Sequence, residues 1–199
     1  MPSYSNLSLG DLLDAFASAS PAPGGGSAAA LTGALGISLL MMAIGIRMSR
    51  PSGSPESFEL ADATEHLRSL RPAVASLVDR DAEAYSSVLA ALRMKVDGES
   101  AMHAATEVPL ETMRACRRAL REAQVVAAHA IGSTHGDVGV AVELLRAAVR
   151  AAGITVDANV GSLKDAEYVN LVRTERQRLD AESAADAETV LTFLQGRSK

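Results

Sequence analysis

The chain has 199 residues, 48% hydrophobic and 22% charged, with a net charge of −5 and no tryptophan. That length and composition suit one globular domain with a real core, 1–199, and exclude wholesale disorder. The negative balance and the few aromatic residues (three Tyr, three Phe) exclude the basic footprint and stacking platform of a nucleic-acid binder. The single cysteine, Cys116, has no internal partner for a disulfide, which fits a reducing compartment. Residues 1–16 show no basic region ahead of an apolar run, so no signal peptide is expected and the expected location is cytoplasmic. Disorder is expected only at Met1–Leu7 and around Gly196–Lys199.

Helical periodicity runs through the chain, and strand signals are nearly absent. Ser8-Leu9-Gly10-Asp11 opens a short helix with Leu12, Leu13 and Phe16 on one face, ended by Ser20-Pro21-Ala22-Pro23-Gly24-Gly25-Gly26-Ser27. An apolar helix follows to about Met48. No charge occurs between Asp14 and Arg47, so Ala28–Ile46 is long enough to cross a bilayer. Its Gly33, Gly36, Gly45, Thr32, Ser38 and many alanines make it weakly hydrophobic for a spanning helix, and suit a helix enclosed by others in a core or subunit interface. After the loop Arg50–Pro55, Ser54 and Pro55 signal a helix start. Helix then runs to Met94, with Pro72 expected to kink or divide it. Asp97-Gly98 breaks the chain. Ser100 to about Ile131 is helical, with Pro109 a second kink candidate, and Gly132–Gly136 reads as a loop. Asp137–Ala152 is amphipathic, and Gly153 is expected to interrupt it. Ser162-Leu163-Lys164-Asp165 resembles a capping box opening a charged surface helix to about Leu194. The expected fold is an all-α single-domain bundle of about seven helices with a buried glycine/alanine-rich helix.

Two features carry chemistry. Val74, Val78, Asp81, Tyr85, Val88 and Leu92 trace one helical stripe, so Asp81 stands where a core residue is expected. A carboxyl group there is desolvated and its pKa raised, as general acid–base chemistry requires; a structural Asp bonded to backbone amides is the alternative. Pro23-Gly24-Gly25-Gly26-Ser27 leads into a helix N-terminus. Glycines allow close approach or positive φ, and the helix start favours anions; a tight turn between packed helices is the alternative. Neither a phosphate-binding loop nor a dinucleotide fingerprint is present. Asp137 follows Thr134 either as a capping pair or, with His135, at a mouth near the glycine loop. His66, His103, His129 and His135 are too scattered to hold a metal, and no nucleophile elbow occurs. Cys116 reads as an inert core thiol. Arg114, Arg117, Arg118 and Arg121 read as a solvated face paired with Glu111 and Glu122, or as a landing strip for an anionic substrate tail.

Several stretches, in order, resemble the formiminotetrahydrofolate cyclodeaminase / methenyltetrahydrofolate cyclohydrolase family. They are Leu12-Leu13-Asp14, Pro21–Ala30 with Gly33–Gly36, Leu77–Tyr85, Thr106–Leu110, Gly136–Ala141 and Asn159–Asp165. The resemblance implies an all-helical homodimer that binds a reduced folate near the glycine loop and the subunit interface. It implies catalytic roles for Asp81 and Asp137, and substrate contacts from Pro23, Gly24, Gly25, Gly26, Ser27, His135 and Asn159. Asp79 shares the acidic motif but lies about 200° round the helix from Asp81, so Asp81 is the expected catalytic carboxylate.

The activity so implied is conversion of 5-formiminotetrahydrofolate to 5,10-methenyltetrahydrofolate and ammonia, or hydrolysis of the methenyl compound to 10-formyltetrahydrofolate. Neither route needs a metal or redox cofactor, and neither nucleic acid nor membrane is an expected partner. Gly136 stands where the family has Ser, Thr155 where it has Asn, and Arg47–Pro51 where relatives carry a Lys/Tyr-containing segment. These departures keep two other readings open: a non-catalytic folate-binding or scaffold homodimer, and, from Ala28–Ile46, a membrane-associated protein.

Overall fold

Ser8 caps the first helix as its position suggests, its hydroxyl accepting from the Asp11 amide. That helix is α1 (Leu9–Ala17), followed by α2 (Gly25–Met48), α3 (Phe58–Met94), α4 (Glu99–His129), α5 (His135–Val160) and α6 (Ala166–Arg197). Short 3-10 turns occur at Tyr4–Asn6 and Gly132–Thr134. A computed structural model describes residues 3–49 and 58–197; the Arg50–Pro55 loop and its Ser54–Pro55 helix start lie outside the described residues. Among those residues there are six α-helices and no strand, one helix fewer than expected.

The shortfall has local causes. Pro72 does not divide α3, because both it and Arg68, whose carbonyl loses its donor, are exposed to water. Gly153 does not interrupt α5; the Arg176 guanidinium of α6 packs against it, 3.2–3.4 Å from where a Cβ would stand. Gly136 belongs to the first turn of α5, not to a loop. The last helix starts at Ala166, and its cap is Asp165 rather than Ser162: the Asp165 carboxylate accepts from the amides of Glu167 (3.1 Å) and Tyr168 (3.0 Å).

α2 is the hub, packed against α5, α3 and α4. Gly36 permits that closeness, since a Cβ there would lie 2.9 Å from Leu145 Cγ and 3.0 Å from the Ala141 carbonyl. Ala30, Ile37, Leu40 and Ala43 complete its inner face. The expectation of burial on all sides holds on that face only: Leu35 is 53% and Met42 40% exposed. By length and composition α2 is the one described helix long and apolar enough to cross a membrane.

α6 buries Val172, Leu179, Ala187 and Val190; none of its described charged residues is fully buried, but Arg176 turns in against Gly153 and several others are half-buried against neighbouring helices. The α4 arginines do not pair with Glu111 or Glu122; Arg114 bonds Glu107 of its own helix, and the other contacts run to α6. Arg114 makes a two-pronged contact with Glu175 of α6 (2.9 and 2.7 Å), and Arg117 reaches Glu182 (3.0 Å). Glu111 is taken by Arg80 and Glu122 by His66. A planar fork onto a carboxylate across helices outweighs an i,i+4 pair of a few tenths of a kcal/mol.

A candidate acid–base pocket at the start of α2

α2 has no acidic residue in its first turn and no side-chain cap. Its free amides meet a carboxylate from α3 instead. Asp81 Oδ2 accepts from the Ser27 hydroxyl (2.9 Å) and the carboxylate also accepts from the Ser27 amide. The same hydroxyl is 2.9 Å from the buried Val78 carbonyl. Gly26 makes room: a Cβ there would stand 2.6 Å from Asp81 Cγ and 2.8 Å from Oδ2. No glycine of this loop has positive φ, so close approach, not unusual backbone, accounts for Gly26. Burial pushes the Asp81 carboxyl above the usual carboxylate range, and the Ser27 hydroxyl and amide only partly offset it.

Asp81 opens onto a pocket of about 190 Å³ lined by Pro21, Ala22, Gly24–Gly26, Ala82, Tyr85, Ala105, Thr155 and Asn159. The stripe on α3 therefore serves two purposes. Val74, Val78 and Val88 are buried, but Asp81 is only partly so, Tyr85 is 40% exposed at the pocket, and Leu92 is 68% exposed. Its middle lines a cavity rather than the core. Thr155 donates back to the Ala151 carbonyl (3.4 Å). Asn159 donates from Nδ2 to the Ala105 carbonyl (2.8 Å).

Of the residues singled out by sequence, the fold brings Gly24, Gly25, Gly26, Asp81 and Asn159 to one pocket; Ser27 is bonded to Asp81, and Pro23 is a buried neighbour. His135 and Asp137 are not brought there. They start α5, whereas Thr155 lies eighteen residues further on, about 27 Å along an unbroken helix at 1.5 Å per residue. The Thr134 side chain donates to the Ile131 carbonyl (3.0 Å) and does not cap α5. Asp79 faces the N-terminal segment, accepting from the Ser3 and Ser5 hydroxyls (2.9 and 2.6 Å) and from the Tyr4 and Ser5 amides. Ser3–Leu7, expected to be disordered, is thus tied to α3, and the Tyr4 hydroxyl donates to the Ala22 carbonyl at the pocket (3.2 Å). Cys116 is fully buried beside Gly33 and its thiol is pushed up to about 12 by desolvation, which suits an inert core residue. Arg114, Arg117, Arg118 and Arg121 do not line the pocket. Sequence reasoning missed Ala105 and the pocket role of Tyr85, while Thr155, marked as a departure from the family pattern, does line the pocket. The available signal was Pro109, whose missing N–H frees the Ala105 carbonyl.

The formiminotransferase-cyclodeaminase family profile matches residues 8–178. The chain belongs to that family. It is 31% identical over 196 residues to a methenyltetrahydrofolate cyclohydrolase of Methylorubrum extorquens, an alignment covering 93% of this chain and 94% of the relative. Its fold matches that of formiminotetrahydrofolate cyclodeaminase from Thermotoga maritima with a TM-score of 0.91 over 98% of both chains, at 22% identity. The family is the one that the ordered motifs resemble, and its all-helical architecture is the one observed.

Proposed function

We propose that this chain binds a tetrahydrofolate derivative at the Asp81 pocket and hydrolyses 5,10-methenyltetrahydrofolate to 10-formyltetrahydrofolate. The observation that carries the reading is a carboxyl group with a raised pKa, held by Ser27 at a glycine-built helix start and open to a pocket. The 31%-identical cyclohydrolase supports the choice of reaction. Asp81 takes a proton from water as the oxygen attacks the methenyl carbon. The adduct opens by breaking the bond to N5, and Asp81 returns that proton to N5. The hydroxyl proton leaves to solvent as the formyl group forms on N10. A carboxyl whose pKa lies nearer neutrality than usual suits both halves of this shuttle.

Cyclodeamination of 5-formiminotetrahydrofolate would use the same group: Asp81 takes the N10 proton during ring closure and protonates the departing amine. Within one chain Asp137 and His135 take no part, since they stand at the far end of α5. Thr155, in the pocket where the family pattern has Asn, favours the second reading, a folate-binding protein without turnover. An optical assay following methenyltetrahydrofolate, with Asp81→Asn as control, separates them. Wild-type turnover lost in the variant is expected. If both proteins are equally inert on both folates, the enzyme reading fails; tight folate binding would then leave the non-catalytic one.

We further infer a homodimer through the outer face of α2. That face carries no charge from Gly25 to Ile46 and exposes Leu35 and Met42. The pocket is also smaller than the roughly 300 Å³ at which small-molecule sites begin, so a second copy is a natural source of its missing wall. Leu35→Asp should convert a dimer to monomer in light scattering. A wild-type monomer at all concentrations would remove this inference.

A further inference from the structure

A proline inside a helix leaves the carbonyl four residues earlier without its donor. Two described helices contain this situation. At Pro72 both the proline and Arg68 are exposed, so solvent is available to the freed carbonyl. At Pro109 the freed carbonyl belongs to Ala105, and both residues are buried. An unpartnered carbonyl there is costly. Asn159 of α5 supplies the donor, its Nδ2 at 2.8 Å.

That bond settles which way the Asn159 amide faces. A carbonyl oxygen only accepts, so the NH2 group must point to Ala105 and Oδ1 is left over. No donor from the described residues meets Oδ1, and Ala105 and Asn159 both line the pocket that holds Asp81. We propose that Pro109 is a positioning residue for this pocket: by withholding an N–H from Ala105 it holds Asn159 with its oxygen toward the ligand. The ligand group opposite must then be a hydrogen-bond donor, such as an N–H of a reduced pterin or of the one-carbon nitrogen. An anionic group is disfavoured there. The chemical assignment rests on reading the pocket as the folate site; the role of Pro109 does not.

Pro109→Ala returns an N–H that can bond the Ala105 carbonyl in competition with Asn159. The melting temperature should hold or rise, because a helix-breaking residue is gone. KM for the folate substrate should rise roughly tenfold, the loss expected of one positioned hydrogen bond, with a smaller change in kcat. Asn159→Ala should raise KM similarly, and the double variant should add little more. A readout independent of activity completes the test. Asn159→Ala orphans the Ala105 carbonyl and should lower the melting temperature, and adding Pro109→Ala should recover it. An equal fall in melting temperature from Pro109→Ala in both backgrounds would overturn the proposal, as would an unchanged KM with the Asn159–Ala105 bond intact in a crystal structure of the variant. If wild type turns over neither folate, the function reading fails, while the melting-temperature cycle still decides the part played by Pro109.

Discussion

Asp79 and Asp81 lie two residues apart on α3 and meet opposite surroundings. At Asp79 burial raises the pKa, but two serine hydroxyls and two backbone amides outweigh it and hold the carboxyl below its ordinary value. At Asp81 burial is heavier, only Ser27 donates, and the carboxyl sits above its ordinary value. The balance of donors against desolvation, not residue type, makes one a clamp and the other a candidate acid–base group. The stability consequences have opposite signs. Asp79 contributes stability present above the usual aspartate pKa and lost as pH falls through its depressed folded value. Asp81, with a raised folded value, is favourable below the usual aspartate pKa, and that contribution is lost as pH rises through the raised value.

Three substitutions can break or sharpen the contrast. The largest effect belongs to Asp81→Asn. Turnover of the folate substrate should fall by about 10²–10⁴-fold, the usual contribution of a positioned acid–base group. The same variant should melt higher than wild type near neutral pH, with the gain vanishing in acid. Retained activity in stopped assays would erase the distinction between the two aspartates. Next comes Ser27→Ala, which removes a donor that lowers the Asp81 pKa. The acid limb of the kcat/KM profile should move to higher pH by up to about one unit; a limb that stays put would mean another group sets it. Smallest is Asp79→Ala, which frees the Ser3–Leu7 segment. Thermal melts should show a loss of about 1 kcal/mol at neutral pH that shrinks in acid, with kcat retained.

Much of this was legible in the chain itself. The helical pattern, the cap at Ser8, the Asp97-Gly98 break and the inward bias of Asp81 are local signals, and the fold expresses them. The rest depends on what each residue meets across space. Pro72 and Gly153 read as breaks, yet one lies on an exposed face and an arginine packs on the other. Arg114 keeps Glu107 of its own helix, yet both it and Arg117 also find carboxylates on α6. The distance of Asp137 from Asp81 follows from the unbroken length of α5, which a tolerated glycine made possible. At Asn159 the motif marked a position, while its role needed a carbonyl on another helix.

The absence of a cap within the first turn of α2 bears on folding order. The carboxylate that meets this helix start lies fifty-four positions downstream. Nucleating α2 locally leaves its leading amides without a side-chain partner, and they gain one only when α3 docks. Placement of the Asp81 carboxyl and completion of the central helix are thus a single event, so a partly collapsed intermediate lacking that docking would hold neither.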